Sequence, residues 1–335
     1  MKAIVYTQKG LPIEDPHSLF DTDLPKPAPG PRDLLVAVKA ISVNPVDTKV
    51  RARAAVTEPR VLGWDVAGVV TEVGPQVTLF KPGDEVFYAG AITRPGCYSE
   101  FHLVDERIAG HKPASLGFAD AAALPLTSVT AGELLFERLG VKEKGGENDI
   151  LLIIGAGGGV GSILTQLARQ LTAMTIVGTA SRPETREWVS SLGAHHVIDH
   201  SRNLVEQLHA LGIKNVTHVA SLTHTDSYYP QLIEALAPQG RLALIDDPAT
   251  LDAMPLKAKS LSLHWELMFT RSTFQTDDMI EQHHLLERIS SLVDNGTLKT
   301  TLGQHFGVIN AANLRRAHAL IESGKSRGKL VLEGF

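Results

Sequence analysis

A chain of 335 residues, 43% of them hydrophobic and 21% charged, exceeds the size at which one hydrophobic core keeps growing, so two globular domains are expected. A formal net charge of −5 argues against a nucleic-acid surface, and a single cysteine, Cys97, excludes an internal disulfide and any multi-cysteine metal site, which suits a reducing compartment. The opening MKAIVYTQKG holds no signal-type apolar stretch and no run approaches the roughly 18 apolar residues of a membrane span, so a cytoplasmic protein with no membrane partner is expected.

Most of the 18 prolines lie at or before Pro125, among short β-branched runs such as Leu34 to Val38, Val66 to Val73 and Glu85 to Tyr88. That pattern predicts a barrel-like, turn-rich all-β module. Beyond it the pattern changes to strands alternating with helices. The pivotal stretch is DILLIIGAGGGVGSILTQLAR, from Asp149 to Arg169. Ile150 to Ile154 read as a strand buried on both faces, and Val160, Ile163, Leu164, Leu167, Ala168 and Leu171 recur at helical spacing. Between them stand Gly155, Gly157, Gly158, Gly159 and Gly161. A glycine turn from a buried strand into a helix N-terminus is a phosphate site in outline, because unpaired N–H groups and the positive end of the helix dipole face it. The literal G-x-G-x-x-G is not met, since Ala156 takes its first position, but the strand-turn-helix context supports a dinucleotide site.

The second run, Met174 to Gly178, gives way to Thr179, Ala180, Ser181 and Arg182. An acidic residue here would bind the ribose 2′-OH of NAD, and none is present. Ser181, Arg182 and Arg186 instead suit a 2′-phosphate, so NADPH is the expected cofactor. The competing reading makes Arg182 and Arg186 solvated helix-start residues partnered by Glu184 and Glu187. Further strands are expected at His196 to His200, Val216 to Ser221, Arg241 to Ile245 and Leu261 to Leu267, with helices at Pro183 to Ser191, Leu204 to Leu211 and Ser227 to Leu236. This alternation predicts a doubly wound parallel sheet. Ser221 and Ile245, at strand ends, fall on the carboxyl edge where such folds bind ligands. Asp246 beside an anionic cofactor is better read as an acidic turn.

In the tail, Thr276 or Asp277 can cap a helix running to Asn295, and Asn310 another ending near Gly324. Lys329 to Glu333 reads as a terminal strand that pairs back onto the N-terminal module.

The chain resembles the medium-chain dehydrogenase/reductase superfamily, and within it the zinc-independent quinone oxidoreductases related to zeta-crystallin and the proteins labelled zinc-type alcohol dehydrogenase-like. The segments that carry the resemblance are AISVNPVDTKVR at 40–51, GWDVAGVVTEVGPQVTLFKPGDEVF at 63–87, LPLTSVTAGELL at 124–135 and the glycine turn. It implies an α/β protein with a GroES-like catalytic domain over 1–125, a Rossmann NADP-binding domain over 126–270, a return to the catalytic domain over 271–335, and an active site in the cleft between the two domains. Where zinc alcohol dehydrogenases have their first ligand, a cysteine, this chain has Asn44-Pro45-Val46-Asp47, and where they have Gly-His-Glu it has Gly63-Trp64-Asp65. No bound zinc is therefore expected. Hydride transfer without a metal suits a quinone or α,β-unsaturated carbonyl, where charge spreads into a phenolate or enolate that hydrogen-bond donors can stabilise. An alcohol or aldehyde reductase is the alternative within the class, and a non-catalytic NADPH-binding crystallin-like protein the alternative outside it.

The resemblance also assigns roles. The backbone at Gly158, Gly159 and Val160 faces the pyrophosphate, and His200, where the family often has tyrosine, meets the adenosine end or is a plain strand-end histidine. Asn44 is the expected hydrogen-bond donor to the acceptor, with Thr130 near the nicotinamide or capping a helix start. Lys49 is a candidate proton donor if desolvated. Trp64, Tyr88, Trp265 and Phe269 are candidates to line the substrate slot, or ordinary core, while Asp65 is expected in a buried hydrogen-bond network. The alternating strand Leu261 to Leu267, last in its sheet, is expected to pair across a two-fold axis in a homodimer.

Overall fold

The computed structural model describes all of residues 1–335 and divides into two compact units, one of Met1–Val129 with Phe269–Phe335, the other Thr130–Met268. The tail does return to the N-terminal unit, and the boundaries fall within a few residues of the expected ones. No helix is long and apolar enough to cross a membrane.

The first unit is built on a mixed sheet whose strands run in the order Leu302–His305, Lys329–Glu333, Asp33–Val43, Val66–Val73, Glu85–Tyr88 and Ala109–His111, with Phe101–Asp105 also paired to Asp33–Val43. A second sheet of three strands holds Phe20–Asp23, Lys2–Tyr6 and Arg60–Val61. Asp33–Val43 is the spine. Its 11 residues are long enough to pair antiparallel with Val66–Val73, Phe101–Asp105 and, at Ala40 to Val43, the terminal strand.

In the second unit six parallel strands run in the order His196–Ile198, Thr175–Thr179, Ile150–Ile154, Val216–Ser221, Leu236–Leu244 and Ser262–Trp265. Counted within the unit this is 3-2-1-4-5-6, the doubly wound order whose direction reverses beside the first strand. Leu151, Leu152 and Ile153 are fully buried, as a strand covered on both faces requires, and the helix Gly159–Leu171 lays Ile163, Leu164, Leu167 and Ala168 into the core.

Several expected boundaries move. The 196 strand stops at Ile198, so Asp199 and His200 lie beyond it, and the 241 strand begins earlier, at Leu236. The long tail helix starts at Glu281 rather than at a cap on Thr276 or Asp277, because Thr270–Phe274 form a short helix of their own that ends in a left-handed Gln275. Asn310 does cap Ala311–Glu322, its side chain accepting from the Asn313 N–H at 2.8 Å.

Candidate functional site

The glycine turn does two different things. Gly157 and Gly161 are there for packing: a Cβ on Gly157 would come within 2.2 Å of Thr185 Cγ2, and one on Gly161 within 2.4 Å of the Gly155 carbonyl. Gly155 sits at φ +81°, where a side chain is strained. Gly158 is different. It is the N-cap of Gly159–Leu171, and a Cβ there would meet only the Gly155 oxygen, at 3.5 Å. Gly158, Gly159 and Val160 are half-exposed while the residues behind them are buried, so the first N–H groups of a 13-residue helix open outward at the carboxyl edge of the sheet. This cradle fits a pyrophosphate.

At the neighbouring strand end, Ser181 and Arg182 are half-buried, and Arg182 precedes the helix Pro183–Ser191. Arg182 lies 3.5 Å from Glu184, an exposed pair of little energetic weight that an incoming phosphate can displace. Arg186 does not pair with Glu187 in the way the helix-start reading expected. Its guanidinium donates to the carbonyls of Ala180, at 3.2 Å, and Val197, at 2.8 Å, tying two strand ends together under Ser181. Thr179 does likewise for the turn, its hydroxyl accepting from the Gly155 N–H at 3.0 Å. His200 is half-buried and stands edge-on to Tyr228.

The other two strand-end residues need correction or refinement. Ser221 is fully buried and its hydroxyl is bonded to Thr225 at 2.7 Å, so its side chain is part of the fold and not of a ligand surface. Ile245 remains half-buried just beyond its strand. Asp246, the acidic turn, accepts from the Thr225 N–H and hydroxyl and so anchors the start of Thr225–Ala235.

The expected acceptor-side residues are mostly interior. Asn44 is 1% exposed and its amide is committed: Nδ2 donates to Asp65 Oδ2 at 3.0 Å and toward the Trp64 carbonyl at 3.4 Å, and Oδ1 accepts from Lys329. It holds the network together, and the role of donor to a substrate is corrected on that ground. Trp64 is fully buried, with its Nε1 on the Ala91 carbonyl and its ring edge-on to Phe269, itself 2% exposed. Tyr88 is also fully buried, its hydroxyl bonded to His102. These three are core and not pocket lining; Trp265, by contrast, is 53% exposed. Thr130 is buried within the helix that begins at Pro125, not at its start, and Lys49 is half-buried.

The residue that sequence reasoning missed is Lys329. Its ammonium, 3% exposed, lies 2.8 Å from Asp65 Oδ2 and donates to Asn44 and the Val43 carbonyl. Asp65 is fully buried and also accepts from Ser42 Oγ at 2.8 Å and the Leu126 N–H at 2.9 Å, which makes it the network's hub. Beside it, Asp47 accepts from the Asn44 N–H and the Tyr98 hydroxyl, which in turn meets His318. Burial pushes the Asp47 carboxyl up to about 7, against those donors and Lys329. Burial, with Arg51, drives His318 down to about 3.

A native carboxyl titrating near 7 against an ordinary 3.8 stabilises fully below the lower value, and that contribution is lost as pH rises through the upper. Asp47→Asn cannot ionise, so the difference in unfolding free energy between variant and parent should change by on the order of 4 kcal/mol from pH 4 to pH 8, in the variant's favour. Chemical unfolding at the two pH values reads it, and parallel pH profiles would rule it out.

A second missed pair lies in the other unit. Glu266, just beyond the strand Ser262–Trp265, is 3% exposed; it accepts from Arg138 Nε at 2.8 Å and shares a hydrogen bond with Glu133, 2% exposed. Burial first, then the Glu133 charge beside it, push its carboxyl well up. The only advance signal was a glutamate within the apolar run HWELMF.

A zinc ion does not fit the residues present. The positions of its usual ligands carry a buried indole and an amide bound to an ammonium, and the adjacent carboxylate already has Lys329 as its cation. Nowhere do three or more His, Cys, Asp or Glu side chains group so as to hold a metal.

Comparison with known proteins adds kinship. Residues 30–128 match the alcohol dehydrogenase GroES-like domain family and residues 192–332 the family described as zinc-binding dehydrogenase. The chain is 40% identical over 337 residues to the zinc-type alcohol dehydrogenase-like protein SAS2087 of Staphylococcus aureus, covering 99% of each chain. A solved Rhizobium etli CFN 42 protein named after the zinc-dependent alcohol dehydrogenases is 58% identical, with a TM-score of 0.96 over 100% of this chain and 98% of that one. The mycobacterial protein Rv1454c, solved in complex with NADPH, is 28% identical with a TM-score of 0.85 over 99% and 100% of the two chains.

Proposed function

Because the chain belongs to the medium-chain dehydrogenase/reductase superfamily, as an oxidoreductase with a GroES-like and a Rossmann domain, we propose that it is a zinc-independent, NADPH-dependent reductase of quinones or α,β-unsaturated carbonyls. The observation that carries this reading is the buried Lys329–Asp65–Asn44 network, an ion pair standing where a catalytic metal's ligands belong in the zinc enzymes. Bound NADPH would supply the hydride. The chain's part is to hold it: the N–H groups from Gly158 to Val160 take the pyrophosphate, and Ser181 and Arg182 take the 2′-phosphate. With no metal to polarise an isolated carbonyl, the acceptor is one whose conjugation carries the developing charge, and solvent can return the proton to the enolate or phenolate oxygen.

Initial rates of NADPH oxidation with a small quinone, a conjugated enone and a simple aldehyde, each with and without a strong chelator and with NADH in parallel, test this. Chelator-resistant turnover of quinone or enone, faster with NADPH, is expected. Turnover confined to the aldehyde and abolished by chelator would overturn it, and tight NADPH binding with no turnover of any acceptor would favour the binding-protein reading.

The reading extends to assembly. The strand Ser262–Trp265 is the last of its sheet, and Trp265 at its end and Leu267 just past it are 53% and 59% exposed. Edge pairing with a second copy would cover them. Sedimentation equilibrium at micromolar concentration should return a dimer, and a monomer would remove the claim.

A further inference from the structure

Four groups gather at the carboxyl edge of the parallel sheet, beside the glycine turn. Arg182 precedes the helix Pro183–Ser191, His200 follows the strand His196–Ile198, and His224 precedes the helix Thr225–Ala235, on whose first turn Tyr228 stands. The His200 ring is edge-on to that of Tyr228, with centroids 6.5 Å apart. His224 is exposed, and its Nδ1 lies 2.6 Å from the Thr223 hydroxyl. Thr223 in turn abuts the turn itself, since a Cβ on Gly155 would meet Thr223 Cγ2 at 3.0 Å. One loop therefore carries a histidine beside the pyrophosphate cradle, and the other carries His200 within the field of Arg182.

The charged or titratable groups facing His200 are Asp199 on its own loop, Arg182 from one helix start, and His224 and Tyr228 from the other. Asp199 is turned toward Ser201, whose N–H and hydroxyl it accepts at 2.9 and 2.7 Å, with Arg202 at 3.7 Å. Partial burial, then His224 and Arg182, lower the His200 pKa against the opposing pull of Asp199, so without ligand the ring is neutral at neutral pH.

Resting on the NADPH reading above, we propose that His200, with His224 beside it, is a proton-linked ligand of the 2′-phosphate, so that preference for the phosphorylated over the unphosphorylated dinucleotide rises as pH falls. A dianion set among Arg182, His200 and His224 favours the imidazolium, so phosphate binding draws a proton from solvent onto the ring. A dinucleotide without the phosphate draws none. One fully linked proton changes affinity by up to about tenfold per pH unit. The phosphate loses its own second charge only near pH 6, so the effect is read above that value.

The test is calorimetric titration of the full chain with 2′,5′-ADP and with 5′-AMP at pH 8.5 and pH 6.5, each in two buffers of different protonation enthalpy. The preference for 2′,5′-ADP should grow about tenfold between the two pH values, with net proton uptake for that ligand alone, and His200→Asn should flatten the dependence. Proton uptake in the unsubstituted protein keeps the test open should the variant fold poorly. A preference equal at both pH values without proton uptake, or unchanged pH dependence in His200→Asn, overturns the inference and leaves the NADPH reading standing. No preference at either pH would sink both.

Discussion

Gly158→Asp should weaken dinucleotide binding by about 100-fold or more, close to 3 kcal/mol, while leaving the fold intact. The two effects separate because this glycine has room. A Cβ there meets only the Gly155 oxygen at 3.5 Å, its φ of −78° is ordinary for any residue, and aspartate is a favoured N-cap that complements the helix dipole. The same carboxylate then stands where the pyrophosphate must, repelling it and engaging the N–H groups that would receive it. Fluorescence titration with NADPH reads the loss, and an unchanged or slightly raised Tm shows the helix survived. Retention of parent-like affinity would mean the pyrophosphate does not use this helix start.

Lys329→Met should destabilise the protein by about 3–5 kcal/mol, the range for removing one partner of a buried ion pair. Asp65 is fully buried, so the loss of its ammonium leaves a carboxylate held only by Ser42 Oγ, the Asn44 amide and the Leu126 N–H. The double variant Lys329→Met with Asp65→Asn should recover a large part of that loss, because it removes the stranded charge. Denaturant unfolding of parent, single and double variants measures it. A loss below about 1 kcal/mol for the single variant would show that Asp65 reaches solvent or a proton by another route.

What the sequence revealed and what it hid divide along a physical line. The six-stranded sheet was legible because strands buried on both faces are continuous apolar runs, and the turn into the helix Gly159–Leu171 because its glycines lie close together in the chain. The Asn310 cap was legible for the same reason, its partner standing three residues away. Asp65 could be placed in a buried network, yet its cation could not. Lys329 is 264 positions away and opens an apolar strand, where a lysine looks like any solvated strand end. Trp64, Tyr88 and Phe269 went the other way. An aromatic side chain suits a core and a substrate slot equally, and only its neighbours, here Ala91, His102 and each other, tell which. Arg186 was read as a phosphate ligand because charge is visible in a sequence and the carbonyls of Ala180 and Val197 are not.

The terminal strand also sets an order of events during synthesis. Residues 130–268 make a complete parallel-sheet unit that leaves the ribosome whole, so it can fold on the nascent chain. The first unit cannot. Ala40 to Val43 lack their antiparallel partner, and Asp65 its ammonium, until translation has passed residue 333. For that interval the older half of the protein carries a bare strand segment and an unneutralised interior charge beside a finished neighbour. It is the half most exposed to chaperone capture or to misassembly. Residues translated after the second unit are the ones that complete the first.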